Sequence, residues 1–133
     1  MISNVERDAL IAAACEARQF AYTPYSNYPV GAAILAEDGR MFTGVNVENA
    51  SYSLTICAER TAVFKMVSEG VRRILAVAVC TGDGGSACGA CRQVLCEFAA
   101  DDIPVWLSDS NHNVRRTSLY TLLPDHFGPE RLL

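Results

Sequence analysis

Ile74-Leu-Ala-Val-Ala-Val-Cys80, then Thr81-Gly-Asp-Gly-Gly-Ser-Ala87, then Cys88-Gly-Ala-Cys-Arg-Gln-Val-Leu-Cys-Glu-Phe98 is the stretch on which the fold turns. Its first seven residues are apolar and rich in β-branched side chains, which predicts a buried strand. Glycines 82, 84 and 85 break that strand into a loop, and a helix burying Val94, Leu95 and Phe98 begins near Cys88.

Outward from there, Ile103 to Leu107 and Asn113 to Thr117 read as two further strands. Their connection, Ser108 to His112, is too short for a parallel crossover, so as neighbours they pair antiparallel. Upstream, residues 57–70 keep a 3.6-residue period through Ala58, Ala62, Val63, Met66 and Val67, and Gly70 ends the helix. Val30 to Ala36 and Met41 to Val45 flank Asp38-Gly39 as a hairpin. A capping box of Ser3 and Glu6 opens a first helix expected over residues 4–21, with Thr23 and Pro24 as its stop. Five strands with helices between several of them predict a three-layer α/β/α fold around a mixed five-stranded sheet. No repeat, low-complexity tract or linker interrupts residues 1–133, so one domain is expected over that length.

The chain has 133 residues, 50% of them hydrophobic, with 15 acids against 11 bases and a formal net charge of −4. The hydrophobic fraction suits a sizeable core, and the charge is the wrong sign for gripping a phosphate backbone. No nucleic-acid partner is therefore expected. No apolar run approaches the ~18 residues of a membrane span, and the charged first residues are unlike a secretory signal. The expectation is a cytoplasmic protein with no membrane partner. Among six cysteines, Cys15, Cys80 and Cys96 lie inside apolar runs, and reduced thiols are expected.

Cys57, Cys88 and Cys91 remain. Cys88 and Cys91 stand at i and i+3, on one face of a first helical turn, and Cys57 begins the other helix. All three can converge on one ion. Helix N-termini favour thiolates, the protonation state that binds zinc. Three protein ligands leave a fourth position open to water, whereas a structural zinc closes itself with four. His112 and His126 lie apart from these motifs, in a turn and a tail, so a non-catalytic zinc module lacks its fourth ligand. Glu59, two residues past Cys57, is placed to move protons beside the open position. Arg60 and Arg92 are placed to offset, by hydrogen bonds to sulfur, the net −1 of three thiolates on Zn²⁺. The apolar tail, with Leu122, Leu123, Phe127, Leu132 and Leu133, follows the last strand with no further element of its own chain to cover it, and is expected to need a neighbour.

Cys57-Ala-Glu-Arg60 with Cys88-Gly-Ala-Cys-Arg-Gln93 resembles the zinc site of the small homotetrameric cytidine deaminases, a class in which a Glu outside the ligand set moves protons. The similarity covers nearly the whole chain. It takes in Ala21-Tyr-Thr-Pro-Tyr-Ser26, Pro29-Val-Gly-Ala-Ala33, Asn46-Val-Glu-Asn-Ala-Ser51 and Leu122-Leu-Pro-Asp-His-Phe-Gly-Pro-Glu130. The resemblance implies one zinc per chain and hydrolysis of cytidine and 2′-deoxycytidine to the uridines and ammonia, a water activated on zinc attacking C4 while Glu59 shuttles protons. It implies that Asn46 and Glu48 hold the ribose hydroxyls and that Tyr28 and Ala58 line the nucleoside. It also implies a homotetramer in which Phe127 is lent to the base bound by a neighbouring subunit. Two positions depart from the family's pattern: Tyr28 stands where Phe is usual, and Ala87, before the second ligand, where Pro is usual. A deaminase of a cytosine nucleoside antibiotic such as blasticidin S shares the cysteine motifs, but the Phe127-Gly-Pro-Glu130 and Asn46–Tyr52 segments favour the ordinary nucleoside. A nucleic-acid-editing deaminase would want a basic face.

Overall fold

The computed structural model describes residues 2–133. In chain order the elements are α1 (Asn4–Ala17), β1 (Gly31–Ala36), β2 (Met41–Val45), α2 (Ala58–Ser68), β3 (Ile74–Cys80), α3 (Gly89–Phe98), β4 (Pro104–Ser108), β5 (Val114–Ser118) and α4 (Leu119–Leu122). The five strands form one sheet in the order β2-β1-β3-β4-β5. Only β3 and β4 run parallel; the β4–β5 pair is antiparallel, as the short connection between them requires.

Strands β1 and β3 are covered on both faces, and their alternation sorts residues between two cores. Ala33, Leu35, Ala76, Ala78 and Cys80 face α1, where they meet Leu10 and Ala14. Ile34, Val77 and Val79 face the other way, onto Ala62, Val63, Met66 and Leu95 of α2 and α3. This is the three-layer arrangement, with small residues where α1 lies close and branched ones beneath α2 and α3. Gly44 brings the beginning of α2 down onto β2: a Cβ there would overlap the Ala58 carbonyl and the Thr61 side chain. Edge strand β5 carries exposed Arg115 and Arg116, charges that discourage further strand pairing. Among the described residues no helix is long and apolar enough to cross a membrane.

Three expectations are corrected. The first helix stops at Ala17 and tightens into a 3₁₀ turn over Arg18–Phe20, short of residue 21. Backbone pairing pulls the chain out of the helix there: Tyr22 N–H donates to Asn46 O at 3.0 Å, and Glu48 N–H to Tyr22 O at 3.0 Å. Strand β1 begins at Gly31 because the Val30 N–H is taken by the Asn46 side chain, at 2.9 Å, and not by the ladder. In the tail, Leu122 and Leu123 pack on the chain's own α2–α3 core behind fully buried Leu119, so only Phe127, Leu132 and Leu133 remain uncovered.

Register decides where the connecting segments meet. Gly31 is opposite both Val45 and Cys80. The segment entering β1, the one leaving β2 and the one leaving β3 therefore gather at one end of the sheet.

Candidate metal centre

Cys57 is the N-cap of α2 and Cys88 the N-cap of α3. Each sits where four backbone N–H groups lack helical partners and the helix dipole favours negative charge. At α3 the capping is explicit, because Cys88 Sγ accepts from Cys91 N–H at 3.4 Å. One helical turn then turns Cys91 back beside it, 3.3 Å away sulfur to sulfur, with Cys57 Sγ 3.7 Å from Cys88 Sγ. The three sulfurs all lie within 4.8 Å of one another. A tetrahedral ion with bonds of ~2.3 Å needs sulfurs ~3.8 Å apart, so this donor set fits zinc in both chemistry and spacing. All six cysteines are free of disulfides.

Charge in the cluster is uneven. The Cys91 thiol beside it, together with the guanidinium of Arg60 and the thiol of Cys88, draws Cys57 down to about 5 despite partial burial. Cys91, donating to Cys57 and buried, is pushed upward. Arg60 Nη2 donates to Cys57 Sγ at 3.6 Å, while its Nε is buried without a partner. Glu59, in the first turn of α2, is 5% exposed. Burial, with the neighbouring Cys57 charge, lifts its carboxyl to about 7. A group there gains and loses protons readily near neutral pH.

Arg92 does not reach sulfur as expected of it. Its Nε donates to Ala87 O at 2.8 Å, Nη1 to Leu122 O at 2.6 Å and Nη2 to Ser86 Oγ at 2.9 Å. The side chain extends away from the metal cluster to satisfy three acceptors, joining the ligand loop to the tail. Gln93, to which the sequence reading gave no task, donates to the Phe127 carbonyl at 2.7 Å. A contact across 34 residues leaves no periodic trace in a sequence.

Asn46 bridges two segments, accepting from Val30 N–H and donating from Nδ2 to Tyr28 O at 2.9 Å. Glu48 Oε1 accepts from the N–H groups of Tyr25 (3.0 Å) and Ser26 (3.1 Å), and Oε2 from the Ser26 hydroxyl. The Ser26 hydroxyl and these amides hold its carboxyl below the usual range. Tyr25, Ser26, Glu48, Tyr52 and Thr55 line a cavity of about 390 Å³. Ala58 is fully buried behind Cys57, and Phe127 is 58% exposed. His126 stacks on Tyr120 at 4.5 Å between centroids, and His112 occupies the β4–β5 turn with φ 63°. Among the described residues the metal-capable group consists of Cys57, Cys88 and Cys91.

The sequence model of the cytidine and deoxycytidylate deaminase zinc-binding region matches residues 5–107. The chain is 50% identical over 127 residues to a cytidine deaminase of Sporosarcina psychrophila, covering 94% of this chain and 93% of that protein. It is 46% identical over 128 residues to one of Halalkalibacterium halodurans, covering 95% and 97%. The crystal structure of cytidine deaminase from Burkholderia pseudomallei superposes with a TM-score of 0.86 at 47% identity, over 95% of this chain and all of that one. Fold, thiol cluster and relatives agree, and the chain belongs to the cytidine and deoxycytidylate deaminase family.

Proposed function

We infer that this chain is a zinc-dependent hydrolase that converts cytidine and 2′-deoxycytidine to uridine and 2′-deoxyuridine with release of ammonia. The observation that carries this reading is a cluster of three thiols, one ligand short of closure, beside a buried carboxyl. When bound, zinc supplies the Lewis acid that lowers the pKa of a coordinated water toward ~7. Glu59 takes one proton from the attacking water and gives it to N3 of the base, then takes the remaining proton from the hydroxyl newly added at C4 and gives it to the departing amine, a sequence its position near pH 7 supports. Arg60 offsets the charge at Cys57.

Asn46 and Glu48 hold the ribose hydroxyls. Asn46 spends one of two amide protons on Tyr28, which leaves a donor, and the Glu48 carboxylate keeps acceptor capacity beyond its three bonds. Tyr28 lines the nucleoside, whereas Ala58, fully buried, has no surface to offer it and supports α2 from within the core. Residues 1–133 act as one catalytic unit, in the cytoplasm, where thiolate ligands are kept reduced. The unit assembles as a homotetramer that shares its sites through Phe127. Support for assembly comes from exposed Phe20, Phe64 and Tyr52, and from an open apolar cavity of about 560 Å³ lined by Phe42, Val47, Ile56 and Phe64.

The test is an ultraviolet assay with cytidine, deoxycytidine, adenosine, CMP and blasticidin S side by side, before and after chelation. Turnover of the first two alone, lost on chelation and restored by zinc, is expected. Turnover confined to blasticidin S, or insensitive to zinc removal, overturns the reading.

A further inference from the structure

We propose that Asp83 and the Tyr28 hydroxyl form a latch that positions the ligand loop, residues 81–88, against the ribose-binding segments and thereby sets nucleoside affinity. This deepens the reading above and rests on its placement of Asn46 and Glu48. One carboxylate oxygen, Asp83 Oδ1, accepts three hydrogen bonds: from the Tyr28 hydroxyl at 2.6 Å, the Thr81 hydroxyl at 3.2 Å and Gly85 N–H at 3.0 Å. Gly85 N–H also donates to Thr81 Oγ1 at 2.8 Å. Thr81 is 2% exposed and its N–H continues the β3–β4 ladder to Ser108 O at 3.0 Å, so the cluster is fixed to the sheet.

The loop needs such a fixture. Gly82, Gly84 and Gly85 give it more backbone freedom to lose than any other residue type would. Gly85 is also where the phenol seats, since a Cβ there would collide with the Tyr28 hydroxyl. From the other end, Tyr28 O accepts from Asn46, Tyr28 N–H donates to Ser26 Oγ at 3.1 Å, and the Ser26 hydroxyl bonds Glu48. An unbroken path therefore runs from Glu48 through Ser26, Tyr28 and Asp83 to the loop that ends at Cys88. The Asp83 carboxyl is held low by Tyr28 and Gly85, as an ionised acceptor for a neutral phenol should be. The Tyr28 hydroxyl thus spends its proton on Asp83 and not on the nucleoside. Asp83 is a positioning residue: with the latch open, the arrangement competent to bind is a smaller fraction of the population, and apparent affinity falls by that fraction.

The experiment compares Tyr28→Phe, Asp83→Ala, Asp83→Asn and the Tyr28→Phe/Asp83→Ala double variant, with Asn46→Ala run beside them. Tyr28→Phe and Asp83→Ala should each raise the cytidine KM about three- to tenfold, the range of one exposed hydrogen bond to a charged acceptor, with zinc content unchanged and kcat moved less. The double variant should be no worse than the worse single one. Asp83→Asn keeps an acceptor oxygen and should restore most of the affinity. Hydrogen exchange at the Gly85 amide should quicken in Tyr28→Phe. Wild-type KM in both Tyr28→Phe and Asp83→Ala, or additive losses in the double variant, overturns the latch. If Asn46→Ala raises KM while those two do not, only the latch fails; if Asn46→Ala leaves KM unchanged, the ribose assignment fails and the latch, which rests on it, fails with it.

Discussion

Cys57 and Cys88 occupy N-cap positions that Ser, Thr, Asp or Asn would ordinarily fill, and the substitution of a thiol there is what makes a helix start into a metal ligand. Cys57 and Glu59 lie two residues apart at the start of α2, and substitutions separate the tasks proposed for them. Cys88→Ala removes one of three donors, so elemental analysis should find zinc lost and activity abolished; full occupancy with normal turnover would show the ligand set to be wrong. Glu59→Gln keeps the shape of the side chain and cannot carry a proton. That variant should retain zinc and lose about 10²- to 10⁴-fold in kcat, the usual worth of general acid–base catalysis, and turnover within a few-fold of wild type would exclude the assigned task.

Elements hold these residues through their ends. The β4–β5 turn is closed by Asp109, whose Oδ1 accepts from Asn111 N–H at 2.8 Å and Asn113 N–H at 2.9 Å, with Oδ2 accepting from Asn113 Nδ2 at 3.0 Å. Those bonds from Asn113, with lesser help from Asn111 and His112, hold the Asp109 carboxyl below the ordinary carboxylate range. A carboxyl depressed in the folded state contributes stability above its unfolded pKa of about 3.9, and that contribution is lost as pH falls through the lower folded value. Asp109→Ala should therefore lower Tm by a few degrees at pH 7, and the gap from wild type should close in acid; thermal melts from pH 7 down to pH 2 measure it. On the opposite core, Arg92 ties the α3 start to the end of α4. Replacing Arg92 by Lys keeps charge but cannot span three acceptors, so Arg92→Lys should loosen the tail while zinc stays bound, read as faster proteolysis after Leu123.

At the scale of the whole molecule, the proposed homotetramer assigns other copies of the chain to the side chains that a lone chain leaves uncovered. Phe20, 72% exposed, lines an open cavity with Thr43 and Val45 of β2, and Phe64 lines another with Phe42, while exposed Tyr52 borders the cavity at Glu48. Phe127 is uncovered although its carbonyl is pinned by Gln93, a placement that suits the proposed loan of the ring to a neighbouring subunit. Phe64→Asp should split the assembly in sedimentation and lower activity with it. Mixing Phe127→Ala chains with Glu59→Gln chains should restore part of the lost turnover, in sites that draw Glu59 and Phe127 from different intact partners. An active monomer, or no complementation in oligomers shown to be mixed, would refute shared sites.

Local rules were enough for the Cys88–Cys91 pair, for α2 and for the pairing of the last two strands: an N-cap thiol with a second at i+3, a 3.6-residue period, and a connection too short for any pairing but antiparallel are all properties of neighbouring residues. The stop of α1 at Ala17, the reach of Arg92 to Leu122 and the meeting of Tyr28 with Asp83 were beyond such rules. The first and last depend on a register that brings distant segments to one end of the sheet, Gly31 opposite both Val45 and Cys80, and the second on α4 packing back against α3. A polar side chain bonds whichever acceptor the folded chain sets within about 3 Å, and that choice is made by packing, not by spacing along the sequence.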